Sequence, residues 1–164
     1  MAPSSRSRRP AKADDATLST LVTLCSTESP QSWSANVVDA AHAVGCPTSA
    51  RAAIHRIVRQ AVLHVTTNHH CLDVAHTLLT LLGTDVDTQL LRYSIARALL
   101  SAGRDATDWA CLLDDGVGEL LGGGADAVPP SLVVGCVMVL ALTQQHGRLT
   151  RTAPRALACL WCDY

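Results

Sequence analysis

The sequence predicts an all-α fold, a compact multi-helix bundle around a buried central helix at 132–142. Three observations carry this. Residues 132–142, LVVGCVMVLAL, run for eleven positions without a polar side chain, so no side of that segment suits water. A run of this length is too short for a bilayer, which takes roughly 20 apolar residues, and fits a core helix. Ile54, Ile57, Val58, Ala61, Val62 and Val65 recur at the spacing of a single helix face. No segment alternates apolar and polar residues over a strand's length, so nothing predicts a sheet.

Composition sets further bounds. With 48% hydrophobic residues in 164 positions the chain can fill one core, and without phenylalanine that core must be aliphatic. Trp33, Trp109, Trp161, Tyr93 and Tyr164 are its only large rings. A net charge of -1 gives no global pull towards nucleic acid or an anionic membrane. Seven cysteines, an odd number spread along the chain, do not read as a disulfide framework. No apolar signal peptide precedes them, and the expectation is a reducing compartment, cytoplasm or nucleus. Cys25, Cys111 and Cys136 fall within apolar helical stretches, where free cysteine acts as a small hydrophobe.

Taken in order, residues 1–13 hold Arg6, Arg8, Arg9 and Lys12 among Ser, Pro and Ala and are expected to be a disordered basic tail. Such a tail can touch nucleic acid, carry a targeting signal or simply stay solvated. Residues 14–164 are expected to form a single helical domain. Asp14 or Asp15 is placed to cap a first helix bearing Leu18, Leu21, Val22 and Cys25, closed by Pro30. Ser34 opens a short helix with Val37, Val38, Ala41 and Val44, stopped at Gly45. Pro47 and Ser49 open the next, whose apolar stripe is the one already named and whose opposite face carries Arg51, His55, Arg56 and Arg59. A helix after Asn68 sets Leu72, Ala75, Leu79 and Leu82 on one face and ends at Gly83. Thr84 with Asp87 resembles a capping box, and the helix it opens presents Leu90, Leu91, Ser94, Ile95, Ala98 and Leu99 up to Gly103. Asp105 with Asp108 repeats that signal before a helix turning Trp109, Leu112, Leu113, Val117, Leu120 and Leu121 inward and Asp114, Asp115 and Glu119 outward. The glycines from Gly122 end it, Pro129 and Pro130 start the all-apolar helix with Ser131 at its first amides, and Gln144 to Gly147 stop it. A last short helix begins near Pro154 and holds Ala156, Leu157, Leu160 and Trp161.

An internal echo accompanies this order. Val38-Asp39-Ala40-Ala41-His42 returns thirty-four residues later as Leu72-Asp73-Val74-Ala75-His76, each time in the shorter helix of a short-then-long pair. In this respect the pattern resembles armadillo and HEAT repeats, which implies a short α-hairpin repeat array as the alternative architecture. A hydrophobic helix caged by amphipathic neighbours resembles instead the apoptosis regulators of the Bcl-2 type, which implies a groove that sequesters a partner's amphipathic helix. That family's asparagine-tryptophan-glycine-arginine motif is missing here, where Asp108-Trp109-Ala110-Cys111 stands nearest to it.

The chemistry-bearing residues point away from catalysis. The triple glycine at Gly122 is not followed by Gly-Lys-Ser/Thr, no G-x-S-x-G occurs, and Asp114 and Asp115 diverge by about 100° on a helix. His69, Asp73 and His76 share the spacing at which a helix offers a metal two imidazoles and a carboxylate. Cys159 and Cys162 form one CxxC, which needs two more ligands, from Cys71 or the histidines, to hold zinc. Neither set amounts to a metal motif, and no cofactor is expected. The expected function is that of a non-enzymatic adaptor that takes a helix or segment of another protein in a groove between amphipathic helices. Its expected binding residues are Arg51, His55, Arg56, Arg59, Arg92 and Arg97, and a regulator of cell death is its narrowest version. The alternative is a small structural subunit of a larger assembly that uses the basic tail. The sequence leaves the partner and the oligomeric state open.

Overall fold

A computed structural model of the chain describes residues 11–45, 50–122 and 128–143. Among them lie α1 (Ala11–Thr27), a 3-10 turn (Pro30–Ser32), α2 (Ala35–Ala43), α3 (Arg51–Val62), α4 (His69–Leu82), α5 (Val86–Ser101), α6 (Thr107–Gly122) and α7 (Pro130–Leu142). The expected all-helical bundle is what these residues form. Its helices are stacked in chain order: α1 packs on α2, α3 on α4, α5 on α6 and α6 on α7, while α2 reaches α4, α3 reaches α5 and α5 reaches α7. The odd-numbered helices therefore follow one another in one layer. Two contacts recur at nearly the interval of the sequence echo: His42 Nε2 meets Thr77 Oγ1 at 3.1 Å, and Thr84 Oγ1 donates to Glu119, each pair 35 residues apart.

Why the stack holds follows from a few residues. The stripe of α3 is buried as its spacing predicts, through Ile54, Ile57, Val58 and Ala61, and Val65 continues it in the turn beyond the helix. It meets Val74, Ala75, Leu78 and Leu79 of α4 and Ile95 and Leu99 of α5 in one continuous aliphatic core, to which Trp33 and Trp109 add the buried rings. Fully burying each large aliphatic side chain contributes about 1.5–3 kcal/mol. Asn68 ties two ends together. Its Oδ1 caps α4 by accepting from the His70 amide at 3.0 Å, while its Nδ2 donates to the carbonyls of Trp33 at 3.0 Å and Pro30 at 3.1 Å.

Several expectations are corrected in detail. α1 begins at Ala11, so residues 11–13 belong to a helix and Asp14 and Asp15 lie inside it, not at its cap. Thr84 is not the cap of α5. Asp85 is, accepting from the Thr88 amide at 3.2 Å and from its hydroxyl at 2.7 Å. Ser34 stands at the start of α2 without a side-chain capping bond, and Ala50 does so for α3. The buried face of α5 is turned relative to the expected one: Thr88, Gln89, Leu91, Arg92, Ile95, Ala96 and Leu99 go inward and Leu90 is left 40% exposed. Pro47, Ser49, the side chains of Asp114, Val117 and Leu121, and the helix expected from Pro154 lie outside the described residues.

The all-apolar segment is a helix, as expected, but it is not enclosed by the described residues. α7 buries Leu132, Val133, Gly135, Cys136, Val139 and Leu140 against α5 and α6, and Val134, Met138 and Leu142 stand 40%, 59% and 67% exposed. The reason is the stacking order. A helix with neighbours on one side of the stack covers only that side, whatever the polarity of its other residues. Gly135 sits where α7 crosses α5, and a Cβ there would come within 2.7 Å of the Tyr93 ring.

Candidate functional site

Positions 51, 55 and 59 of α3 lie at successive intervals of four and form a row along the flank of the buried stripe of Ile54, Ile57, Val58 and Ala61. Arg56 stands beside that row because 52 and 56 are its helical neighbours. These residues line one open cavity of about 520 Å³: Arg51, Ala52, His55, Arg56 and Arg59 from α3, and Asp87 from the first turn of α5. The expected basic face is thus a concave surface at the meeting of α3 with the start of α5.

Its charges are not equivalent. Arg51 pairs with Asp85, the residue that caps α5, in a half-exposed contact between the two helices. Arg56 and Arg59 are exposed and have no carboxylate partner among the described residues. His55 is half-buried, and its imidazole is held below the ordinary 6.5, chiefly because burial disfavours its charged form and secondly because Arg51 repels the proton. Arg59 acts in the same sense, and Asp87 opposes them. Among the described residues the cavity therefore offers two guanidinium groups without a carboxylate partner, an imidazole biased towards its neutral form and the Asp87 side chain on the opposite wall.

No family model, curated protein or solved structure matches this chain. What the site can do therefore rests on its own geometry.

Two of the expected binding residues do not belong to it. Arg92 is only 5% exposed: Nη2 donates to the Leu79 carbonyl at 3.1 Å and Nη1 to Gln89 Oε1 at 3.3 Å. Leu79 is in the last turn of α4, where carbonyls lack helical partners, so Arg92 serves as a C-terminal cap from the neighbouring helix. Arg97 is exposed but does not line the cavity. Asp87 and Asp85 are the residues that the sequence left out of the site. Asp85 directly precedes the first residue of its helix, a strong cap position, and that signal alone would have placed it at the junction.

The described metal candidates, His69, Asp73, His76 and Cys71, are not gathered into a site. Among the described residues no group of three or more His, Cys, Asp or Glu could hold a metal ion. The His69 ring lies 3.9 Å from that of His70, and His76 meets Trp109 edge-on at 5.7 Å. Cys159 and Cys162 lie outside the described residues. Cys71 is buried, its thiol donating to the Pro30 carbonyl at 3.1 Å, and burial pushes its pKa up to about 11. No described helix is long and apolar enough to cross a membrane.

Proposed function

We propose that this protein is a non-catalytic helical interaction module that takes an anionic segment of another protein against the outer face of α3. The observation that supports the reading is the cavity bounded by Arg51, His55, Arg56 and Arg59, in which Arg56 and Arg59 lack carboxylate partners among the described residues. An unpaired guanidinium is a strong, planar donor for carboxylates and is favoured at protein interfaces. Fluorescence-anisotropy titration with an acidic helical peptide tests it. Binding at micromolar concentration, weakened at least about tenfold by Arg56→Glu with Arg59→Glu, supports the module, since like charges across an interface cost several kcal/mol. Equal binding by the double variant removes it. The narrower version, a regulator of cell death, draws on a centrally caged apolar helix, and with α7 at one end of the stack nothing in the site favours it over other partners.

A second reading, a subunit of a larger assembly, is favoured by a different observation. Val134, Met138 and Leu142 make an apolar row at intervals of four along α7 that the described residues leave exposed. Light scattering of the purified chain tests it: a monomer whose solubility is unchanged by Met138→Glu counts against it, and self-association abolished by that change supports it.

A further inference from the structure

We infer that the partner is an acidic helix that also carries a basic side chain for Asp87, and that nucleic acid is refused by the same carboxylate. This rests on reading the α3 face as a protein-binding surface. The cavity has two walls of opposite sign. On α3, Arg56 and Arg59 are the cations without a carboxylate partner among the described residues, whereas Arg51 pairs with Asp85. On α5, Asp87 is exposed and turned to the same space. Burial and Arg51 bias the His55 imidazole towards its neutral form. A sugar-phosphate backbone, negative at every step, gains at Arg56 and Arg59 and is repelled at Asp87. A helix presents its side chains otherwise: residues three or four apart share a face, about 6 Å apart along the axis, so glutamates can meet α3 while a lysine one turn on meets Asp87. The row from 51 to 59 is about 12 Å long, two turns of such a partner.

The test compares three labelled probes on the full chain in moderate salt: a helical peptide with two glutamates and a lysine on one face, the same peptide with that lysine changed to glutamate, and a short duplex oligonucleotide. The lysine peptide should bind about 2- to 5-fold tighter than the all-acidic one, the scale of one exposed ion pair. Asp87→Asn should erase that preference, with Asp87→Ser as a second variant and circular dichroism to confirm the fold. The oligonucleotide should bind more weakly than either peptide and gain when Asp87 is neutralised. If both peptides bind through Arg56 and Arg59 but equally well, or the preference survives Asp87→Asn, the inference fails and the module stands. If only the oligonucleotide binds, or nothing does, both fail.

Discussion

The same substitution, made at two positions of α6 only two residues apart, should change stability in opposite directions. At Gly118 a Cβ meets nothing within 4 Å, so Gly118→Ala should stabilise the helix by about 0.5–1 kcal/mol, the ordinary gain in helix propensity. At Gly116 the added Cβ would stand 1.5 Å from Nε2 of Gln89 and 2.3 Å from its carboxamide carbon. Gln89 has no solvent exposure, donates to the Leu113 carbonyl and receives a hydrogen bond from Arg92, so it cannot swing clear without unsettling a buried cation. Overpacking costs about 1–3 kcal/mol and a lost hydrogen bond to a charged group about 1.5–3. Set against the propensity gain, Gly116→Ala should destabilise by about 1.5–5.5 kcal/mol. Urea denaturation of the two variants beside the parent measures this. Gly116→Ala at or above the parent's stability would show that Gln89 is not held where the packing of α5 on α6 requires it.

Three further outcomes are expected. Asn68→Ala removes the α4 cap and the ties to the 30–33 turn, and should cost about 2–3 kcal/mol in the same assay, more than a cap alone. His55 should make the native state less stable in mild acid. Its folded pKa lies below 6.5, so above that value neither state binds the proton, and as pH falls below it the unfolded chain takes the proton first. His55→Gln should flatten that part of the stability profile, and a profile identical to the parent's would contradict the assignment. Finally, burial pushes the Cys25 and Cys136 thiols up to about 12, so iodoacetamide at pH 8 should leave both unmodified in the native protein, read by peptide mass spectrometry.

The fold was legible where period and polarity agreed. α3 shows its inner and outer faces in sequence because apolar residues follow the helical period and arginines fill the other side, and four of the six expected binding residues line the cavity for that reason. α5 was misread because two rows compete on it. Leu90, Ser94 and Ala98 look as good a core face as Leu91, Ile95 and Leu99, and the buried row contains Gln89 and Arg92, residues that a polarity rule sends outward. Tertiary contacts decide between them: Gln89 fits the space left by Gly116, and Arg92 supplies donors to the end of α4. Once Arg92 is seen to lie three and seven residues from Ile95 and Leu99, its place on the inner face is a matter of spacing. α7 differs again. It is the helix the apolar run predicts, but with no polar residue on any side its sequence carries no information about which side the described residues cover.

Whether the outer face of α3 is where a partner docks is tested most directly by amide NMR of the labelled chain during titration with the lysine-bearing acidic peptide. Shifts gathered at residues 51–59 and at Asp87, with Val134, Met138 and Leu142 unmoved, are the expected result. Shifts centred on the open row of α7, or none at saturating peptide, would contradict it.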